Sequence, residues 1–151
     1  MTVCRIIPAL PVHVGIIAGQ LTSEERERFK GYGRDARRVI RDFFRRSSYR
    51  RTALLDDRPA ALWGITGTLI EPSGILWLRL SSTARKRVRL VIKEGREELW
   101  RILQIRREIV CYLHEEDIVA QRFAEFFGFE LAAPAQVEGV EFIARRGVLK
   151  R

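Results

Sequence analysis

The chain reads as a single α/β domain on a mixed sheet, and three observations predict it. Apolar spacing switches repeatedly between the two-residue period of a strand and the 3.6-residue period of a helix. Three strand-like runs in the middle follow one another across short turns, which is the pattern of an antiparallel meander. The 151 residues are 46% hydrophobic, enough for one core without a metal or disulfide staple.

Val3 to Ile7 reads as a strand and Pro11 to Leu21 as a short helix. Thr22 with Glu25 forms a capping-box pattern opening a second helix, which buries Phe29, Tyr32, Ala36, Ile40 and Phe43. Gly31 and Gly33 kink or split that helix, and its other face carries Arg34, Arg37, Arg38, Arg41 and Arg45. The meander follows as Arg51 to Leu55, Ala60 to Ile70 and Gly74 to Leu80, with turns at Asp56 to Pro59 and Glu71 to Gly74. A helix from about Thr83 to Leu103 leads to a strand from Glu108 to Leu113. Asp117 to Phe127 is a helix that Gly128 closes, and strands at Phe129 to Ala132 and Val140 to Ala144 complete the sheet.

The turn into the helix after the meander carries the strongest charge signal. Starting that helix near Ser82 or Thr83 puts Arg85, Lys86 and Arg87 in its first turn. Unpaired N–H groups already make a helix N-terminus partly positive, so each cation there costs roughly 0.3–1 kcal/mol unless an anion neutralises it. A strand running into such a turn is a frequent phosphate cradle, although three long side chains in water would also satisfy the pattern.

With 28 Lys and Arg against 19 Asp and Glu, the formal charge is +9, which speaks to acidic partners rather than to fold. Cys4 and Cys111 sit in apolar strand runs and read as two thiols in a reducing, cytoplasmic setting. Pro8, Pro11 and His13 interrupt the apolar run from Ile6 to Ala18, which argues against a cleaved signal, and no segment reaches membrane-spanning length.

Ile6, Ile7, Pro8 and Ala9 before a short helix, the meander, the helix after it, and Ala120 to Phe123 leading to Phe127, Gly128 and Phe129 together resemble the GCN5-related N-acetyltransferases. The resemblance covers nearly the whole chain and implies one domain over residues 1 to 151, a mostly antiparallel sheet flanked by helices. It also implies acetyl-CoA in a cleft between the fourth and fifth strands, an amine acceptor, and acyl transfer to nitrogen. Pantetheine would then lie along Leu78 to Leu80 and the pyrophosphate along Ser82, Arg85, Lys86, Arg87 and Val88.

Two departures accompany the likeness. Where the family's loop carries two small residues, this chain has Val88 and Leu90, with no glycine between Gly74 and Gly95. Where many members carry a tyrosine that protonates the leaving thiolate, position 124 is Ala, and Asp117 stands where an Asn often opens the helix. Trp77, Leu80, Ser81, Ala84, Arg85, Lys86 and Arg87, with Arg122 and Phe123, further resemble the acetyltransferase-like internal virion proteins of short-tailed bacteriophages. That narrower likeness implies a phage or prophage origin and virion partners.

An amine attacks a thioester only after losing its proton, so a base is required. Glu71 before the fourth strand, His114 at the end of the fifth, and Asp117 beyond it are the candidates. Each has a structural role to weigh against it: Glu71 with Pro72 makes a turn, Asp117 caps a helix, and His114 is a surface histidine. Neither a metal site, a Ser-His-Asp triad nor a catalytic cysteine is indicated. Three readings stand: an acetyl-CoA-dependent N-acetyltransferase of slow or no turnover, a non-catalytic virion protein, and a nonspecific nucleic-acid binder using the arginine face.

Overall fold

The computed structural model describes residues 2–67 and 73–151, and one eight-stranded sheet organises them. Its strands are β1 (Cys4–Pro8), β2 (Ser47–Leu55), β3 (Arg58–Thr66), β4 (Ser73–Leu80), β5 (Glu108–His114), β6 (Glu130–Leu131), β7 (Ala135–Gln136) and β8 (Ile143–Lys150). The spatial order is β1-β2-β3-β4-β5-β8-β6, with β7 also on β8. Every pair is antiparallel except β4 with β5. That parallel pair requires a crossover, supplied by α4 (Ser82–Lys86) and α5 (Val88–Ile105).

Side-chain alternation on the strands gives the sheet two covered faces. On one, α1 (Pro11–Ala18), Leu21 just beyond it and α3 (Ala36–Arg46) bring Val14, Ile17, Leu21, Ile40 and Phe44 onto Leu62 and Trp77. On the other, α5 and α6 (Ile118–Phe127) pack Val91, Ile92, Leu99, Ile102 and Phe123 against Trp63, Ile65, Leu80 and Ile109. The helix α2 (Ser23–Gly31) adds Phe29, partly buried, to the first of these clusters. Among the described residues, no helix is long and apolar enough to cross a membrane.

Local chemistry accounts for the boundaries. Asp56 and Asp57 both adopt positive φ, the two-residue turn whose twist suits a hairpin, so Leu55 faces Arg58 directly. The second helix is split: Gly33 turns at φ +66° and Asp35 caps α3 through the Arg37 amide. Phe44 takes the buried position beside Ile40, while Phe43 stacks on Trp77 at 5.9 Å. At the other end of the chain, Gly128 in the left-handed region closes α6.

Three expectations are corrected. The helix after β4 is not continuous: Arg87 leaves helical geometry at φ −123°, ψ 35°, and i→i−3 bonds from Arg87 to Ala84 and from Leu90 to Arg87 replace the regular ladder there. The strand β2 begins at Ser47, four residues before the predicted start, across a register shift. The last strand is not Val140 to Ala144 but β8, whose arginines find partners: Arg145 donates to Ala132 O at 2.8 Å and to Gln121 Oε1 at 3.0 Å.

Candidate functional site

The parallel strands β4 and β5 pair only from Ser73 to Ile75 against Glu108 to Val110. Beyond that point they diverge, leaving Leu76 to Leu80 unpaired toward β5 and opening a cleft of about 550 Å³. The two helices that follow these strands, α4 and α6, begin at its mouth, and the α2–α3 connection and the β7–β8 turn close its inner end.

At the mouth, three elements meet through ions. Arg85 on α4 reaches Glu25 of α2 at 2.9 Å and Asp117, the cap of α6, at 3.4 Å. Arg28 reaches the same Asp117 oxygen at 3.4 Å. Asp117 also accepts the Ala120 amide at 3.1 Å, so one carboxylate caps a helix and ties two guanidinium groups. Thr22 caps α2 by accepting from the Glu25 amide. Arg79 on β4 completes the group, its guanidinium 5.5 Å from the centroid of the Phe29 ring. Burial pushes the Arg79 guanidinium below its ordinary pKa, Glu25 and Asp117 push it back up, and Arg85 adds to the lowering.

At the inner end, Tyr32 and His114 are joined by a 2.5 Å Oη–Nε2 contact. His114 Nδ1 accepts the Glu116 amide at 3.1 Å, so in the neutral ring Nε2 carries the hydrogen and donates to Tyr32. Burial lowers the His114 pKa first and the Arg28 charge lowers it further, against weaker upward pulls from Glu116, Asp117 and Glu115, which favours that neutral form. Phe142 stacks on His114 at 5.2 Å, and Arg34 is ion-paired with Glu141, so the α2–α3 connection is tied to the segment before β8. Asp42 and Glu138 line this end with no ion pair among the described residues.

Leu78, Leu80, Arg85, His114 and Asp117 are thus brought into one cleft lining. Ser82, Lys86, Arg87 and Val88 lie on α4 and its junction with α5, outside that lining, with Lys86 and Arg87 exposed. Glu71 lies outside the described residues. The expected crowding of Arg85, Lys86 and Arg87 at the start of a long helix is corrected. Ser81 caps a five-residue α4 by accepting from Ala84 N, so Arg85 and Lys86 fall in its last turn, where the dipole favours cations. Arg85 finds its counter-charge in carboxylates 60 and 32 positions away in sequence.

Tyr32, Arg79, Asp42 and Glu138 have no local signature marking them as site residues. On α3, Phe43 and Phe44 face inward, leaving the arginine face without their rings for base stacking. No group of three or more His, Cys, Asp or Glu among the described residues is arranged to hold a metal.

Solved structures share this architecture. Aminoglycoside acetyltransferase AAC(6')-Ib in complex with coenzyme A superposes with a TM-score of 0.71 at 14% identity, over 99% of this chain and 95% of that one. RimL, a ribosomal L7/L12 alpha-N-protein acetyltransferase in complex with coenzyme A, gives 0.66 at 11% identity, over 97% and 93%. An acetyltransferase of the GNAT family from Streptococcus pneumoniae gives 0.58 at 15%, over 99% and 100%. No family model and no curated protein matches the sequence. The chain therefore has the fold of the GCN5-related N-acetyltransferases, a mixed α/β domain with a mostly antiparallel sheet between helices.

Proposed function

We propose that this protein is an acyl-CoA-dependent N-acyltransferase, with acetyl-CoA as the donor and an amine as the acceptor. The observation that carries the reading is the divergence of β4 from β5 after Ile75 and Val110, which leaves the Leu76 to Leu80 backbone edge unpaired toward β5, with the Leu78 carbonyl accepting from Arg79 Nη1 at 2.8 Å. An extended chain of amides fits such an edge as an added strand would. Support comes also from AAC(6')-Ib and RimL, both of which hold coenzyme A.

The residues fit the pantetheine part of the cofactor better than its pyrophosphate. Arg87 turns the chain between α4 and α5 without a glycine, and Arg85 is held by Glu25 and Asp117. We assign the phosphate contacts to Ser82, Lys86 and Arg87, with Val88 beside them, on the exposed side of that junction. When bound, the cofactor supplies the activated acyl group as a thioester.

Transfer to nitrogen requires that the acceptor ammonium lose a proton and the departing sulfur gain one. Asp42 and Glu138 are placed to draw a cationic amine into the inner end and, through water, to take its proton. As oriented, His114 has no free lone pair, because Nδ1 accepts an amide and Nε2 donates; its role is to position the Tyr32 hydroxyl. Ala124 lines the cleft and brings no donor; Tyr112 also lines it, and we assign its hydroxyl to recover part of that loss. Turnover on ordinary amines is accordingly expected to be slow, since general acid catalysis is worth about 10²–10⁴-fold.

The test is release of free coenzyme A from acetyl-CoA over a panel of amines, polyamines, aminoglycosides and peptides, comparing wild type with Tyr112→Phe and Ala124→Tyr. Turnover that falls in the first variant and rises in the second supports the reading. No turnover and no binding of millimolar coenzyme A would overturn it. The loop without glycine favours one second reading, a phage or prophage virion protein that keeps the fold without turnover, and that same negative result is what it expects.

A further inference from the structure

Arg79 is the one arginine among the described residues with a buried nitrogen left without a hydrogen-bond partner. Its Nη1 donates to the Leu78 carbonyl at 2.8 Å, and its Nε is the buried atom left over. Neither of the two nearest carboxylates serves it. Glu25 faces Arg85 at 2.9 Å, and the Asp117 oxygen is shared between Arg28 and Arg85. Three guanidinium groups therefore meet two carboxylates in the wall of the cleft, leaving one positive charge uncompensated.

The geometry of what is left free matters more than the charge. A guanidinium whose Nη1 is occupied presents its Nε–H and Nη2–H side by side, and that edge matches the two oxygens of a carboxylate or phosphate. The Phe29 ring covers the group, and its stem rises from β4, so the fork is held rather than waving in water. The Nε has almost no exposed surface and no hydrogen-bond partner among the described residues, and a buried unpaired donor is costly enough that folded proteins rarely keep one without a use. Burial also penalises the charged form of this side chain, a penalty an anion would relieve.

We propose that the free Nε/Nη2 edge of Arg79, held over Phe29 between α2 and β4, is a two-point binding site for an oxyanion, either a carboxylate or a phosphate group of a molecule entering the cleft. The oxyanion site itself does not depend on the acyltransferase reading, which bears only on which molecule carries the group. A carboxylate on the acceptor would make the preferred acceptor an amino acid rather than a simple amine. A phosphate would make Arg79 a holder of the cofactor's phosphates in addition to Ser82, Lys86 and Arg87.

The experiment follows the arginine Nε–Hε resonances of the wild-type protein by NMR, with that of Arg79 assigned from Arg79→Lys, during titration with inorganic phosphate and with succinate. Calorimetry of Arg79→Lys and Arg79→Gln follows, against coenzyme A, phosphate-free S-acetylpantetheine, β-alanine and ethylamine. A selective shift of the Arg79 signal, abolished at high salt, is expected, with about tenfold weaker binding of the oxyanion ligand in Arg79→Lys, which keeps the charge but not the fork. Loss confined to coenzyme A, sparing acetylpantetheine, identifies phosphate; loss confined to β-alanine, sparing ethylamine, identifies an acceptor carboxylate. An Arg79 signal that no oxyanion moves, with all affinities unchanged in Arg79→Lys, would overturn the proposal even if coenzyme A binds. Conversely, a shifted Arg79 signal in a protein that binds no coenzyme A keeps the oxyanion site and removes the acyltransferase.

Discussion

Replacing Asp117 separates two jobs that one carboxylate performs at the mouth of the cleft. Its Oδ1 accepts the Ala120 amide at the start of α6, and its Oδ2 lies 3.4 Å from both Arg28 and Arg85. Asp117→Ala removes both, whereas Asp117→Asn keeps a good cap and removes only the charge. A lost cap costs about 1 kcal/mol. The ion pairs are long but sheltered, with the Asp117 and Arg85 side chains 14% and 15% exposed, and Glu25 still holds Arg85 at 2.9 Å. Their loss is therefore set at roughly 1 kcal/mol, above a surface pair and well below a fully buried one. Urea unfolding followed by tryptophan fluorescence should place Asp117→Ala about 2 kcal/mol below wild type and Asp117→Asn about halfway between, with unchanged denaturant slope. Equal losses in the two variants would show that the cap contributes nothing, and no loss in either would remove the ionic junction.

Three further outcomes are expected. His13 Nδ1 accepts the Leu10 amide at 3.0 Å and lies 2.7 Å from the Thr52 hydroxyl, and burial lowers its pKa below the ordinary 6.5. The unfolded chain therefore takes up the proton first, so urea stability should be full above about pH 6.5 and fall as the pH drops toward the lower folded value; stability flat from pH 7.5 to 5 would contradict this. At Gly64 a Cβ would lie 2.7 Å from Trp77 Nε1 and 2.8 Å from both Ser47 Oγ and Tyr49 O, so Gly64→Ala should lose about 1–3 kcal/mol by the same assay. Burial pushes the Cys111 thiol up to about 12, so iodoacetamide at pH 8 should modify it only after unfolding, which mass spectrometry of native and denatured samples would detect.

What could be read from the sequence was what short segments determine for themselves. The caps at Thr22, Asp117 and Gly128 and the meander through Trp63 and Trp77 depend on neighbours a few residues apart, and the structure contains them. The basic turn misled because helix start and charge are local, while the counter-charge for Arg85 comes from α2 and α6. The expected last strand, Val140 to Ala144, stops before Arg145 and Arg146, yet β8 runs on to Lys150, with Arg145 bonding back to Ala132 and Gln121. Gly147 belongs there because a Cβ would come within 2.7 Å of Cys111 Sγ, a close approach visible only once the strands are paired. The contact of Tyr32 with His114 likewise joins residues 82 positions apart and leaves no trace in spacing.

The central claim is that the edge of β4 exposed by its divergence from β5 receives an acyl-CoA. Backbone amide NMR of the wild-type protein during titration with acetyl-CoA addresses it most directly. Saturable shifts concentrated at Leu78 to Leu80 and at Ser82 to Val88, weakened in Lys86→Ala/Arg87→Ala, are expected. Saturable shifts that avoid β4, or none at millimolar acetyl-CoA, would contradict it.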